Sequence, residues 1–284
     1  MRRSRIPFIT TIIVLLFFYI PLMLMVLQSL QHKVAGIDTK QWTTIWYAQL
    51  YEAMQLPEII FTGESLFPDV VFGSAISEAI FNTVFIGISA AFFSTILGTL
   101  AALAVYKYNK SKLQTVHRGL LYAPLILPEI LMGISLLICF SFLEIPLGKM
   151  TVIAAHVAFC TSYVAVVVMA NLESFDFTLL EASRDLGATS WQTTRRIILP
   201  LLWPAIAAGG LLAFTLSLDD FIVTFFVAGE GCTTIPLYIY SAFSRGRNPL
   251  ERICALSSVL LAVTFILVAA TLFFGRKSIT KAEG

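Results

Sequence analysis

Three carboxylates lie in parts of the chain that are otherwise almost entirely apolar. Glu129 follows two prolines, Pro124 and Pro128, whereas Asp219 and Asp220 are neighbours in a later apolar run. A charged side chain at the centre of a bilayer costs about 2.5–3.5 kcal/mol, so such residues usually face a polar cavity and have a function there. The three acids therefore predict a polar pathway whose negative charge attracts cations. Because adjacent residues of a helix point about 100° apart, only one aspartate of the pair is expected to face the pathway axis.

A second group of polar residues forms a segment between two apolar runs, which we call the elbow (residues 178–200). Thr178 and Glu181 have the spacing of a capping box, which begins a helix. Gly187 is the residue type best suited to end that helix in a left-handed turn. Thr189, or the serine after it, is suited to cap a second helix. The elbow is therefore predicted to be a helix, a glycine turn and another helix at the membrane surface.

The composition identifies the kind of protein that carries these groups. Hydrophobic residues make up 58% of the 284 positions and charged residues 13%, against about 25% charged residues in soluble domains. The net charge of +2 is too small to indicate binding to nucleic acid. The four cysteines have no metal-ligand spacing and are expected to be packing thiols. We expect an all-α integral membrane protein with a single domain over residues 1–284.

Six apolar runs are long enough to cross a bilayer, which takes about 20 residues. They are residues 8–30, 76–106, 119–143, 151–172, 201–228 and 253–274. A further apolar stretch, residues 234–243, is too short to span and is predicted to be a re-entrant or surface helix.

Most of the 19 Lys and Arg fall on one side of these runs. This side holds Arg2, Arg3, Arg5, Lys107, Lys110, Lys112, Arg118, Arg184, Arg195, Arg196, Arg276, Lys277 and Lys281. Positive residues accumulate in cytoplasmic loops, so the pattern predicts that both termini and the elbow are cytoplasmic. The loop of residues 31–73 is then outside, and its aromatic residues form either an interfacial belt or a docking surface for an extracytoplasmic partner.

The elbow also carries a recognisable spacing. Three residues separate Ser183 from Gly187, and nine residues separate Gly187 from Ile197. The residues of the pattern are Glu181, Ala182, Ser183, Gly187, Ile197, Leu199 and Pro200. The pattern resembles the EAA signature of bacterial ABC-transporter permeases, although Ser183 stands where that family commonly has a second alanine. The resemblance implies a type I ABC importer permease fold, in which the elbow is a coupling helix that fits a groove on a cytoplasmic ATPase.

Longer segments resemble one branch of these permeases, the spermidine/putrescine importers. The segments are APLILPEILMGISLL, AHVAFCTSYVAVVV, LLAFTLSLDDFIVTFFVAG and TTIPLYIYSAFSRGRNP, and the resemblance covers most of residues 81–267. It implies three kinds of partner: a second, different permease subunit, two cytoplasmic ATPase subunits that bind ATP and magnesium, and a periplasmic polyamine-binding protein. It also implies a location in the bacterial inner membrane, no cofactor in this chain and no enzymatic activity of its own.

A polyamine carries separated ammonium groups, which carboxylates and aromatic faces attract. The three acids and the ring of Tyr163 are the expected contacts, and Phe214 and Phe221 lie at helix positions that supply further rings. Two alternatives stay open. The aromatic residues only pack helices together, or the acids only form an ion pair with Arg245 or Arg247.

Other functions fit the sequence less well. The elbow does not specify a cargo, so a permease of the same type for another small solute remains the main alternative. An ion-coupled secondary transporter usually needs internal repeats, and none is evident. The sequence lacks G-x-x-x-x-G-K-[ST], H-E-x-x-H and G-x-S-x-G, so neither ATP hydrolysis by this chain nor membrane-enzyme chemistry is indicated. His156 has no second histidine at metal-ligand spacing, and it is expected to form hydrogen bonds between helices.

Overall fold

Helices account for nearly all of the computed structural model, which describes residues 6–33, 40–55, 68–107, 114–173, 178–245 and 250–280. The helices are α1 (Ile6–Ser29), α2 (Ile45–Gln55), α3 (Pro68–Lys107), α4 (Gln114–Ile126), α5 (Glu129–Phe142), α6 (Lys149–Glu173), α7 (Thr178–Asp185), α8 (Ser190–Thr193), α9 (Leu199–Asp219), α10 (Ile222–Val227), α11 (Ile235–Arg245) and α12 (Leu250–Thr280). A π-helical segment, Thr194–Ile198, joins α8 to α9. Two three-residue strands, β1 (Gln31–Lys33) and β2 (Lys40–Trp42), pair antiparallel. The helical fold class is confirmed, and this small hairpin is a feature that the sequence pattern does not predict.

Five of the described helical segments are long and apolar enough to cross a membrane, and a bent pair of helices is a sixth candidate. The five are Thr10–Ser29, Ala75–Tyr106, Lys149–Glu173, Ser190–Asp219 and Leu250–Ala270. Each overlaps one of the predicted apolar runs, so the multi-pass prediction is confirmed. The stretch of residues 234–243 is helical as predicted, and α11 has 11 residues, too few to span a bilayer.

The third predicted span is a broken helix. Within residues 119–143, α4 and α5 meet at an angle of 108° around Leu127 and Pro128. Proline has no backbone N–H and disfavours helical backbone at the residue before it, so a helix readily bends or ends at such a position. Pro128 has the extended values φ −57° and ψ 133°, and Glu129 follows it in the first turn of α5. The break therefore places Glu129 at a helix end.

The fifth predicted span, residues 201–228, also contains a break. α9 ends at Asp219, and Asp220 is extended (φ −62°, ψ 124°) before α10 begins. The Asp220 carboxylate accepts hydrogen bonds from the backbone amides of Val223 and Thr224. An aspartate that binds such amides stabilises a helix start and competes with a helix interior. The expectation of one continuous helix through both aspartates is therefore wrong.

Contacts along the chain divide it into two units. The first comprises Met1–Glu78 and Tyr238–Val263, and the second comprises Ala79–Leu237 and Thr264–Gly284. That the whole chain forms a single permease domain stays a prediction.

In the first unit, Trp46 of α2 is a packing residue. Its side chain is buried, and its Nε1–H donates to the Gln31 carbonyl at 2.8 Å. The Arg252 guanidinium lies 5.2 Å from the centre of the Trp46 ring and donates to the Gln49 side chain at 2.8 Å. Trp42, in contrast, is exposed. Trp42 is therefore still available for an interfacial aromatic belt or for a docking surface, whereas Trp46 is used in packing.

In the second unit, α3 and α9 both pack closely against α6 at Val164. A Cβ atom added at Gly98 of α3 would lie 2.7 Å from Val164 Cβ, and one at Gly209 of α9 would lie 3.2 Å from Val164 Cγ1. Small residues allow helix backbones to approach in this way in membrane proteins. The close approach fixes α6 against α9, and both helices carry residues of the candidate site.

Candidate functional site

Glu129, Asp219, Asp220 and Tyr163 all line one cavity of about 420 Å³ in the second unit. The break between α4 and α5 and the break between α9 and α10 both contribute to its wall, and Phe159 and Tyr163 of α6 complete it. Irregular backbone at membrane depth is tolerated where it lines a cavity. The structure thus brings together the four predicted pathway residues, which come from three separate apolar runs.

Asp220 is bound by protein groups on several sides. Its Oδ2 accepts from the Thr224 amide at 2.8 Å and from the Thr224 hydroxyl at 2.7 Å. The same oxygen lies 3.2 Å from His156 Nε2, and only 5% of the Asp220 side chain is exposed. Within the described part of the chain, the partner of Asp220 is His156, and the alternative of an ion pair with an arginine stays a prediction. Arg247 itself lies outside the described residues.

His156 connects three helices. Its side chain is fully buried, and Nδ1 lies 2.6 Å from Ser217 Oγ of α9. On the other side of the ring, Nε2 lies 3.0 Å from Thr224 Oγ1 of α10 and faces Asp220. The expectation that His156 of α6 forms hydrogen bonds between helices is confirmed.

Asp219 and Glu129 differ from Asp220 because both have exposed side chains at the cavity. Asp219 is the last residue of α9, and a helix C-terminus carries the equivalent of about half a negative charge. Glu129 lies in the first turn of α5. The two exposed carboxylates therefore place negative charge at this cavity, whereas the partial charges of the helix ends oppose one another, since α9 ends there and α5 and α10 begin there.

Aromatic rings line the same cavity, although not all of the predicted ones. Tyr163 and Phe221 lie at the cavity, together with Phe159, which is not among the predicted rings. Phe214 packs elsewhere, since a Cβ atom added at Gly87 would lie 2.9 Å from its ring. Phe214 therefore fits the alternative of helix packing. Helical spacing is the signal for Phe159, because it lies one turn before Tyr163 on α6.

The first helix of the elbow ends in a Schellman motif around Gly187, which has the left-handed φ of +77°. The Gly187 amide donates to the Arg184 carbonyl at 2.9 Å, and the Ala188 amide donates to the Ser183 carbonyl at 3.0 Å. These are the two hydrogen bonds that define the motif, so the predicted glycine cap is confirmed. Thr178 is the first residue of α7, and its capping role stays a prediction because the residues before it lie outside the described part of the chain.

The second helix of the elbow begins with a capping box of its own. The Gln192 amide donates to Thr189 Oγ1 at 3.3 Å, and the Thr189 amide donates to Gln192 Oε1 at 2.9 Å. Two buried hydroxyls then join the two helices, with Ser183 Oγ of α7 3.0 Å from Thr193 Oγ1 of α8. The serine that departs from the usual alanine of the signature therefore links the two helices, which its spacing in the sequence does not reveal.

The elbow exposes both polar and apolar groups. Of the signature residues, Ser183 is buried, Ile197 and Leu199 are half-buried, and Glu181, Ala182, Gly187 and Pro200 are exposed. Leu186 at the turn is 88% exposed and Trp191 of α8 is 69% exposed. Exposed large apolar side chains beside charged ones are typical of interaction sites. The elbow is therefore an internally bonded bracket with groups available to a partner chain.

Comparisons with known proteins agree with this arrangement. Residues 94–277 match the family described as the binding-protein-dependent transport system inner membrane component. The spermidine/putrescine transport system permease protein PotC of Escherichia coli (strain K12) is 34% identical over 260 residues, which cover 92% of this chain and 90% of that protein. The putrescine transport system permease protein PotI of the same strain is 34% identical over 256 residues, covering 88% of this chain and 83% of that protein. A crystal structure of a bacterial ABC transporter involved in the import of the acidic polysaccharide alginate has a similar fold, with a TM-score of 0.67 and 17% identity over 94% of this chain and 93% of that chain.

Proposed function

Because the chain belongs to the family of binding-protein-dependent transport system inner membrane components, we propose that it forms half of the transmembrane pathway of an ATP-driven importer for polyamines. It is a multi-pass permease subunit of the inner membrane. The polyamine cargo is supported by its similarity to two permeases named for spermidine and putrescine transport.

The cavity is the observation that carries this proposal. A volume of about 420 Å³ falls within the range of about 300–1,000 Å³ that is usual for small-ligand sites. The carboxylates of Asp219 and Glu129 attract the ammonium groups of the substrate. The Tyr163 and Phe221 rings lie at the same cavity and bind ammonium through their faces. An elongated cation thus meets spaced negative charges and aromatic surface.

The elbow transmits the work of ATP hydrolysis to these helices. Its exposed Glu181 and Ala182 and the apolar Leu186 contact a groove on a cytoplasmic ATPase subunit, while Ser183 and Gly187 hold the bracket in shape. The second helix of the elbow, α8, continues through the π-helical segment into α9. A displacement of the elbow is therefore transmitted along this continuous helix to Asp219 at its end. ATP and magnesium are bound by the ATPase subunits, and this chain has no cofactor and no enzymatic activity of its own.

In the proposed importer, four further protein chains act together with this one. A second, different permease subunit supplies the other half of the pathway, two ATPase subunits lie on the cytoplasmic side, and a periplasmic binding protein delivers the polyamine. Both termini of this chain and the elbow are on the cytoplasmic side. This orientation rests on the excess of Lys and Arg at that face of the sequence.

Uptake measurements with competitors test the cargo. In cells that carry the complete transporter, unlabelled putrescine and spermidine should compete with labelled putrescine, and an unrelated monovalent cation should not. The triple variant Glu129→Gln/Asp219→Asn/Asp220→Asn should reduce uptake by about tenfold or more, equivalent to about 1.4 kcal/mol of lost attraction.

The control is Glu230→Gln, which neutralises an exposed acid outside the cavity and should leave uptake normal. The yield of intact complex is measured for each variant, so that loss of transport is separated from loss of assembly. Normal uptake by the triple variant would contradict the cationic pathway. Competition by a different solute, with none by polyamines, would assign the permease another cargo.

A further inference from the structure

The break between α9 and α10 places two adjacent carboxylates in different surroundings. The Asp219 side chain is exposed at the cavity, whereas 5% of the Asp220 side chain is exposed. The backbone becomes extended at Asp220, so the regular 100° step between neighbouring helix residues does not apply to this pair. The sequence does not show which of the two acids faces the cavity, and the structure distinguishes them by their exposure.

Asp220 has little binding capacity left for a substrate. It accepts three hydrogen bonds from the start of α10, two from amides and one from the Thr224 hydroxyl, and His156 Nε2 lies 3.2 Å from Oδ2. A carboxylate offers about four lone-pair sites. Three of these protein groups contact Oδ2 and one contacts Oδ1, so an ammonium group that displaced none of them would have only the second lone pair of Oδ1 left.

These same contacts hold the break in one geometry. His156 is fully buried on α6, and its Nδ1 is bonded to Ser217, which precedes the break on α9. Its Nε2 contacts Thr224, which follows the break on α10. The histidine thus bridges the two sides of the break, and α6 is itself fixed against α9 by the close packing of Val164 on Gly209.

We propose that the two aspartates have different roles, an inference that rests on the proposed function. Asp219, with Glu129, supplies the charge that attracts substrate ammonium groups in the cavity. Asp220 is a positioning residue that, together with His156, fixes the break between α9 and α10 so that Asp219 faces the cavity.

Thiol modification in the complete transporter measures charge and shape separately. The reporter is Met132→Cys, which places a thiol on α5 at the cavity lining, in a background where the four native cysteines are replaced by alanine. Modification rates are compared for a cationic and a neutral methanethiosulfonate reagent of similar size. The ratio of the two rates reports the local electrostatic potential, and the rate of the neutral reagent alone reports the accessibility of the cavity.

The two aspartates should change different quantities. Asp219→Asn should lower the cationic-to-neutral ratio by about threefold or more, because it removes an exposed charge, and should leave the rate of the neutral reagent unchanged. Asp220→Asn keeps an oxygen for the α10 amides. It should lower the ratio by a smaller factor than Asp219→Asn, because the amides at the start of α10 point their partial positive charge at the Asp220 carboxylate and offset part of its charge. Asp220→Ala removes the cap, and it should change the neutral rate and reduce the yield of complex. Glu230→Gln, the control outside the cavity, should change neither quantity.

Three outcomes would overturn the proposal. The ratio falls as far in Asp220→Asn as in Asp219→Asn, or Asp219→Asn leaves the ratio unchanged, or Asp220→Ala leaves both the neutral rate and the yield unchanged. Polyamine uptake in the same variants keeps the proposed function separate. If the parent complex takes up neither putrescine nor spermidine while the ratios follow the expected pattern, the cargo is wrong and the division between the two aspartates stands.

Discussion

Both ring nitrogens of His156 are engaged, with Ser217 on one side and Thr224 and Asp220 on the other. Buried polar groups cost free energy unless they are hydrogen-bonded, and the cost is higher for a carboxylate. Asp220 therefore depends on His156, and His156 depends on two hydroxyls from neighbouring helices. At the residue scale, this group of four side chains defines the local structure of the cavity wall.

His156→Ala should destabilise the complex, because it removes the ring that contacts Asp220, Ser217 and Thr224 in the buried wall of the cavity. Leaving a buried polar group without its hydrogen-bond partner costs about 1–3 kcal/mol. The apparent melting temperature of the solubilised complex is the measurement, and the control is His117→Ala, which removes an exposed histidine on α4 and should have little effect. The double variant His156→Ala/Asp220→Ala should lose less than the sum of the two single variants, since no unpaired carboxylate remains. Additive losses would show that the two side chains do not act as a pair.

At the scale of elements, two helices of the second unit end inside apolar runs, and each break has its own cause. Pro128 lacks an N–H and restricts the residue before it, which favours a break there, and Asp220 binds the first amides of α10. A third interruption, at Gly187, depends on the left-handed conformation that ends α7. The first two breaks build the cavity, and the third builds the elbow.

Gly187→Pro should abolish uptake while the subunit remains inserted in the membrane. Proline fixes φ near −65° and has no N–H, whereas Gly187 has φ +77° and donates to Arg184. Uptake and association with the ATPase are measured together with the amount of membrane-inserted subunit.

The matched control is Gly187→Asn, because asparagine tolerates the left-handed region better than other residues. There is open space around this position, with no atom within 4 Å of an added Cβ, so the asparagine side chain meets no steric obstacle. This variant should retain most of the uptake. Normal transport by Gly187→Pro would refute the coupling role of the elbow.

At the scale of the whole molecule, the distribution of positive residues predicts the orientation in the membrane. Among the described residues, Arg184, Arg195 and Arg196 lie in the elbow and have exposed side chains. Positive residues near span ends are retained on the cytoplasmic side during insertion. The elbow is therefore expected on the side where an ATPase can reach it.

Cysteine labelling in intact cells tests this orientation. A cysteine at Ser111 should be protected from a membrane-impermeant thiol reagent, and a cysteine at Thr62 should react, in a background without the native cysteines. Both positions lie in predicted loops that fall outside the described residues. Permeabilised cells are the control, since both cysteines should react there. The reverse pattern in intact cells would place the elbow on the side opposite to the ATPase.

The sequence by itself determined the features that depend on local properties of the chain. Hydropathy alone indicated a multi-pass membrane protein, because crossing a bilayer requires a run of apolar residues whatever the rest of the chain does. The turn at Gly187 followed from the one residue type that adopts a left-handed conformation without strain. Of the four predicted pathway residues, Glu129, Asp219 and Asp220 stood out because charge is costly in an apolar run, and Tyr163 because its ring can attract an ammonium group.

Only the tertiary structure decided how those residues are used. Asp220 ends the helical run because its carboxylate caps α10 and meets His156, which is distant in the sequence and close only after α6 packs on α9. The packing of α6 places Phe159 at the cavity, and the packing of α9 on α3 places Phe214 against Gly87. Periodicity gives the face of a helix on which a residue lies, but it does not say which neighbour covers that face. That choice is made by the contacts among helices, and it gives two adjacent aspartates different surroundings.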